Sequence, residues 1–580
     1  MRARRLALGL LLLAALGAAV RLAPLLAFEV WGSDTGEYHR LAATLVAEGR
    51  LSTAYDGWGI AYPWFPGLYA VAGGVSAMTG LDVRWTLAVL VPALAGLSGV
   101  GVALLAYELS RRADAGLLAG AAAAVVMPHA FATSHAMPGA LGHVLLLGSL
   151  LLAWRAGRER ALWVALLVVL LALTATHHLS TYMALLALGG MVFVRGLLVA
   201  RPATREDRAL WGALGVLLAT ALAWWSWAAP VRDDIAPQAS QLGIAGLGLG
   251  AALGLALLWW LPRWRARWAW RFRPAYPSTA AGLRLVAAMA VVVVAGYAVV
   301  GFVGVPGTSV QIAPLAVLWF LPMALLLGFG FLGSRLAKFR PRGALVYGWA
   351  LALLASFAVM IAVGSHVLLP YRHAEYILEP AALLAGLGLA AALAAARARG
   401  ARIGRAAAAG AVVLLLANAA LAYPPPSVLA GFQEGTTHAE MDAVRWAGAH
   451  VKLAPDAVIA ADHRLSSMLF GYAGLDATWE YAPLTFHAAT FGEARAEMGA
   501  VHAPSGVKRV DYVLLTAPMR AGLALTQWDA ASPLSEAAQA KFERDPHYVA
   551  VCRSEGAVLY RVDWALDGSG PAAVAPCVAS

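Results

Sequence analysis

LALGLLLLAALGAAVRLAPLLAFEVWGSDTGEYHR, Leu6–Arg40, is the stretch on which the fold turns. Its first part holds about twenty apolar residues broken only by Arg21, enough helix to cross the roughly 30 Å hydrocarbon core of a bilayer. Its second part sets Asp34, Glu37, His39 and Arg40 directly behind that run. Runs of about 17–25 apolar residues recur through roughly the first 420 positions, each long enough to span. The 580 residues are 61% hydrophobic and 13% charged, where a soluble chain carries about 25% charged residues. Mean hydropathy is +0.70. These numbers exclude an ordinary soluble protein and predict an α-helical polytopic membrane protein.

The opening MRARRLALGLLLLAALGAAVRLA has the basic start and apolar middle of a signal peptide. Arg21 interrupts the cleavage region, and the many later spans need no leader, so a retained anchor is expected. The net charge of +11 would suggest nucleic acid in a soluble protein. Here the basic residues fall in short loops between spans, which is the signature of cytoplasmic loops. PRWRARWAWRFRP (Pro262–Pro274) is accordingly read as an interfacial aromatic and basic belt facing membrane lipids, with no nucleic-acid partner.

Counting Lys and Arg in the loops sets the topology. Arg2, Arg4 and Arg5 place the N-terminus in the cytoplasm, span one is about Leu6–Phe28, and the first loop (29–84) emerges outside. FPGLYAVAGGVSAMTG within that loop is short and rich in Gly. If it crossed, every later basic loop would be inverted, so Pro66–Gly80 is expected to lie along the membrane. Span two is then about Trp85–Leu109, ending at Arg111 and Arg112. Later cytoplasmic loops are Arg155–Arg160, Arg201–Arg208, the Trp/Arg segment, Ser334–Arg342 and Arg397–Arg405. The outer segments include Pro128–Pro138, His177–Ser180, Pro230–Gln241, Val305–Ala313 and Gly364–Tyr376. About thirteen spans result, closing near the Pro-rich YPPPS (Tyr423–Ser427).

The chain divides there into a membrane part, 1–427, and an extracytoplasmic part, 428–580. In the latter, HAEMDAVRWAGAHV has helical periodicity, DAVIAA and VDYVLL read as short buried strands, and YVAVCRSEGAVLYRV reads as a hairpin around SEG. This is a small mixed α/β domain in an oxidising compartment. Cys552 and Cys577, the two cysteines, are either a disulfide or two free thiols; both remain open at this point.

Several residues could carry chemistry. Asp34 has the position of a helix N-cap, with Glu37 three residues on in capping-box register. It also lies at the outer mouth of span one, where a carboxylate can bind a divalent cation or take a proton from an acceptor hydroxyl. Arg21 either snorkels to the interface or pairs with a phosphate there. His129, His135 and His143 surround one outer loop, His177 and His178 sit at a second, and His366, Arg372 and His373 at a third. Their spacing matches no metal motif, so scattered hydrogen-bonding imidazoles and a metal site are both open. Arg372 is an outward arginine in a protein whose basic residues mostly face inward. A lipid phosphate is one partner for it, and Asp233 or Asp234 is the structural alternative.

Taken in order, these pieces resemble the GT-C glycosyltransferases, polytopic enzymes that use polyprenyl-phosphate-linked sugars. The resemblance rests on an arginine near the end of span one (VRLAP), the acidic first-loop motif GSDTGEY and the Pro-led YPWFPGLYAVAGG. A second span ending in RR, THHLS, and PYRHAEYILEPAALLAGLGLA add to it. About thirteen spans followed by an outer domain is similar to the catalytic subunit of oligosaccharyltransferase, especially its archaeal forms. The resemblance implies that Asp34 is the catalytic base or metal ligand. It also implies that Arg372, with Arg21, holds the lipid phosphate, and that Glu37, His135, His177 and His178 bind substrate. A divalent cation (Mg or Mn) would sit on Asp34, with His135 in place of a second-loop acid, since Pro128–Pro138 contains none. The acceptor motif WWDYG is absent; TWEYA (Thr478–Ala482) looks like it only weakly, and AADHRL (Ala460–Leu465) occupies the more comparable place. The acceptor is therefore left as protein, lipid or glycan. The rival functions are a transporter or lipid flippase, against which stands the absence of an internal repeat, and a non-catalytic subunit that kept the fold.

Overall fold

In the order of the chain, an apolar helix, Arg2–Leu22, leads into a polar loop and then a long bundle. The computed structural model describes residues 2–51, 53–198, 204–235, 279–305, 308–337, 342–362, 370–522, 531–566 and 574–577. The belt expected at Pro262–Pro274, and His366, lie outside the described residues. Among the described residues nine helices are long and apolar enough to cross a membrane, and three shorter apolar ones accompany them (Ala113–Val125, Leu162–Thr176, Val286–Val299). The chain is a multi-pass membrane protein. The expected thirteen spans compare with nine plus three among the described residues, and the stretch 236–278 is outside that count.

The bundle explains why 58 glycines serve a membrane chain. Between helices in lipid, apolar burial offers little, so association rests on close backbone approach. Gly190 and Gly348 face each other so closely that a Cβ on either would lie 2.2 Å from the other's carbonyl oxygen. The 29-residue helix Pro370–Ala398 runs deepest in the bundle.

Pro66–Gly80 forms the 13-residue helix Gly67–Thr79, ended by Gly80 at φ +75°. Thirteen residues rise only about 20 Å, short of the hydrocarbon thickness. It packs on the first-loop helix Thr35–Glu48 through Tyr38, Leu41, Leu68, Tyr69 and Ala72. The span after it runs Val83–Ser110.

Four of the loops read as sharing one face meet. Glu108 pairs with Arg111 at 2.8 Å and Arg158 at 3.0 Å, with Arg155 and Arg342 at 3.7 Å. Glu206 pairs with Arg158 at 3.2 Å and Arg342 at 3.0 Å. Four separate inter-helix connections are thereby held at one end of the bundle, the end away from Asp34.

The C-terminal part forms a sheet in the order β3 (Ala457–Ala460), β5 (Gly506–Thr516), β7 (Ala557–Val562), β6 (Tyr548–Ser554), β8 (Ala575–Pro576), with β4 (Val501–Ala503) paired to β5. β3 is parallel to β5, and β6 and β7 make the expected hairpin. Cys552 and Cys577 form a disulfide that holds β8 to the edge of β6. A two-stranded ribbon joins this domain to the first loop: β1 (Val30–Trp31) pairs antiparallel with β2 (Gly435–Thr436).

Candidate functional site

Two glycines allow the site to form. A Cβ on Gly36 would lie 1.9 Å from the Ser467 carbonyl oxygen, and one on Gly471 would lie 1.9 Å from the Gly36 carbonyl oxygen. The start of Thr35–Glu48 therefore rests directly on the short helix His463–Met468 and the turn after it. Around this crossing, Glu29 gathers Arg84, Arg445 and His438, and Glu434 accepts from the Ser33 amide at 2.8 Å. Arg464 is buried and donates twice to Glu440. The first loop and the C-terminal domain thus lie on the same face of the bundle.

Asp34 occupies the N-cap position of Thr35–Glu48, yet its side chain caps nothing. The capping-box expectation is corrected: both carboxylates turn away from the helix start. Oδ1 of Asp34 accepts from His463 Nε2 at 3.0 Å, and Oδ2 accepts from the Tyr62 hydroxyl at 2.9 Å. His463 donates its other nitrogen to Glu480 at 3.1 Å, and Glu480 also accepts from Trp58 Nε1 at 2.6 Å. An imidazole facing a carboxylate on each nitrogen must donate from both, so His463 is a cation. Burial opposes its charge, but the two carboxylates outweigh burial and push the imidazole up to about 10. Burial likewise opposes the Asp34 charge. The His463 hydrogen bond and charge, the Tyr62 hydroxyl and nearby Arg372 prevail and hold Asp34 below the usual carboxylate range.

Glu37 behaves in the opposite way. Oε1 accepts from the Tyr55 hydroxyl at 2.9 Å and the Gly59 amide at 3.0 Å, while Oε2 is buried without a partner. Burial, then the Asp34 charge, pushes it up to about 8, so near neutrality Glu37 is largely a neutral acid. Two carboxylates three residues apart are driven to different protonation states by their surroundings.

Asp34 opens onto a cavity of about 820 Å³ where loop, bundle and C-terminal domain meet. Arg372, His135, His177 and His178 line the same cavity, as do Tyr38, Tyr62 and Trp58. Its wall is largely apolar and aromatic, Phe65, Phe131 and Tyr297 included. Arg372 lies over its neighbour Tyr371, while Asp233 pairs with Arg232 at 2.7 Å. His135 has a buried Nε2 without a partner. His177 shares a hydrogen bond with Ser180 at 2.8 Å, and Ser180 another with Tyr376 at 2.7 Å. His178 packs on Phe65.

Two expected site residues do not reach the cavity wall. Glu37 is buried behind it. Arg21 is inside the bundle, with Nε to Thr133 Oγ1 at 2.8 Å and other donors to Ser98 Oγ and the carbonyls of Gly17 and Ala124 at 3.2 Å. Arg21 is a tie between helices, and its hydrogen bonds are to protein.

Asp34 and His135, the expected cation pair, line the same cavity, and both oxygens of Asp34 accept hydrogen bonds from protein donors, His463 and Tyr62. Among the described residues the one set of His, Cys, Asp or Glu with metal-like mutual spacing is His129, His143 and Glu379, compatible with a divalent cation.

Sequence reasoning missed His463, Glu480, Tyr62 and Trp58. Asp462 caps the helix that carries His463, so ADHRL reads as an ordinary helix start. Glu480 stands in the TWEYA segment, noticed only for its likeness to another motif.

By sequence, no family model and no curated protein matches the chain. By structure it is similar to archaeal oligosaccharyltransferase AglB from Archaeoglobus fulgidus, solved with an inhibitory peptide and a dolichol-phosphate. That likeness has a TM-score of 0.57 and 15% identity, covering 95% of this chain and 80% of that one. It is also similar to the Archaeoglobus fulgidus oligosaccharyltransferase in complex with Zn and sulfate, with a TM-score of 0.54, 15% identity, and 97% and 74% covered. ArnT from Cupriavidus metallidurans, bound to undecaprenyl phosphate, matches with a TM-score of 0.50, 16% identity, and 97% and 99% covered. With 95–97% of this chain covered, the likeness takes in the membrane bundle and the outer domain alike: the chain shares the fold of these solved structures.

Proposed function

We propose that the chain is a membrane glycosyltransferase that moves a sugar from a polyprenyl-phosphate or pyrophosphate carrier to an acceptor on the extracytoplasmic face. The observation that carries this is the cavity at the bundle end, where Asp34 and Arg372 share one largely apolar chamber. Dolichol-phosphate and undecaprenyl phosphate in the two similar proteins support a lipid-linked donor. The orientation follows from the basic loops at the opposite end, which favour the cytoplasm.

In this reading the prenyl chain lies against the aromatic wall and the phosphate against Arg372, with His177 and His178 beside it. The acceptor's O–H or N–H hydrogen-bonds to the ionised Asp34. As the acceptor atom bonds to the anomeric carbon, its proton leaves along that hydrogen bond. The bond from carbon to phosphate oxygen breaks, and the phosphate departs with the electron pair, its growing charge met by the guanidinium. His463, fixed by Glu480, keeps the Asp34 carboxylate oriented and ionised. The acceptor class stays protein, lipid or glycan.

The test is transfer from labelled polyprenyl-phosphate and polyprenyl-pyrophosphate sugars by the purified protein, following release of the lipid phosphate. Turnover that falls in Asp34→Asn and Arg372→Ala supports the reading. A folded wild type inert toward the whole donor panel, but exchanging lipid or solute across proteoliposomes, would replace it with transport.

A further inference from the structure

Beneath the cavity floor, three bundle helices bring His129, His143 and Glu379 together, all fully buried. One ligand atom from each lies within 4.8 Å of the others. His143 donates to Glu379 Oε1 at 2.8 Å and faces Glu375 Oε2 at 3.2 Å through its other nitrogen. His129 shares a hydrogen bond with Ser98 at 2.9 Å through Nε2, while its Nδ1 is buried without a partner. Glu379 Oε2 is also buried without a partner. Two buried polar atoms without a hydrogen-bond partner in one cluster cost free energy unless something fills the gap between them.

We propose that His129, His143 and Glu379 bind a divalent transition metal, zinc in the first instance, with Glu375 completing the set from the cavity side. Two imidazoles and a carboxylate are the ligand chemistry of zinc, and nitrogen donors disfavour magnesium. Zinc bonds of 2.0–2.1 Å in a tetrahedron put ligands about 3.4 Å apart, so the group has to close by roughly an ångström. His143 must give up one ring proton as the metal takes its place. The metal would fasten the helices Met127–Ala132, Pro138–Ala156 and Pro370–Ala398. The first two flank His135, and the third carries Arg372 two turns before Glu379, so the metal sets the spacing of the cavity wall. This site is separate from Asp34 and does not depend on the sugar-transfer reading.

The experiment is elemental analysis of the full chain, purified in detergent, exposed to micromolar zinc and then passed through metal-free buffer. Near-stoichiometric zinc is expected. It should be lost in His129→Ala and Glu379→Gln, and kept in Asp34→Asn and His135→Ala. A zinc-free wild type overturns the proposal, as does zinc that survives His129→Ala or vanishes in His135→Ala. Should the bundle variants fail to fold, zinc K-edge absorption of the wild type decides. A nitrogen and oxygen shell with outer imidazole scattering supports the site, and a shell without imidazole overturns it.

Discussion

The two charged ends of the bundle are built on opposite plans. At the end away from Asp34, Glu108 and Glu206 are closed in by arginines from three connections, and the charges meet one another directly. At the other end Asp34 and Arg372 both open onto one cavity, and the groups that hold Asp34 approach it from behind. The first plan satisfies charge within the protein and fixes helices; the second presents opposite charges to a shared chamber. That difference is why the proposed sugar transfer is assigned to the cavity end.

The largest effect should come from Asp34→Asn. Its amide keeps an acceptor for Tyr62 or His463 but cannot take a proton, and loss of a general base costs about 10²–10⁴-fold in rate. Asp34 makes no cap hydrogen bond, but the change removes one of the two carboxylates that hold the buried His463 cation, so the melting temperature should fall as well. Turnover measured beside the melting temperature checks this, and near-normal turnover would reduce Asp34 to a bystander. Gly36→Ala should act on the same end through packing. With no room for a Cβ against Ser467, it should cost about 1–3 kcal/mol and raise protease sensitivity between the first loop and the C-terminal domain.

Glu108→Ala sharpens the contrast from the other side. Its arginine partners are partly exposed, so after discounting for solvent the loss should be about 1–2 kcal/mol. It should appear as a lower melting temperature with transfer per folded molecule unchanged. A large activity loss at constant stability would break the comparison.

The remaining effect is a pH tilt at the cavity end. His463 is raised from its ordinary 6.5 to about 10, so its stabilising contribution is complete below about pH 6.5 and is lost as pH rises through 10. Glu37, raised from 4.5 to about 8, has the same sign: folded stability declines from about pH 4.5 to 8. Melting temperature should therefore fall between pH 6 and 10, and His463→Gln should flatten the upper part of that slope.

Much of this was legible in the chain. Span lengths, the basic loops and the hairpin around Ser554–Gly556 follow from local hydropathy and turn chemistry. Asp34 follows from its place after the first span. The partners of Asp34 do not, because hydrogen bonding to a residue 429 positions away leaves no local trace. His463 hid behind a helix cap, and Tyr62 at the head of a Pro-led stretch that reads as a helix lying along the membrane. Arg21 misled in the other direction. A charge in an apolar run signals a ligand only if the bundle offers it no partners, and here Ser98, Thr133 and two carbonyls do.

The β1–β2 ribbon and the glycine crossing behind Asp34 also impose an order in time. Asp34 leaves the ribosome 429 residues before His463. At about 5–20 residues per second the gap is roughly 20–90 s. Throughout that interval the nascent chain holds Asp34 without the imidazolium or Glu480. A half-made molecule therefore sits in the membrane with an unassembled pocket until the segment that carries His463 and Glu480 has been made.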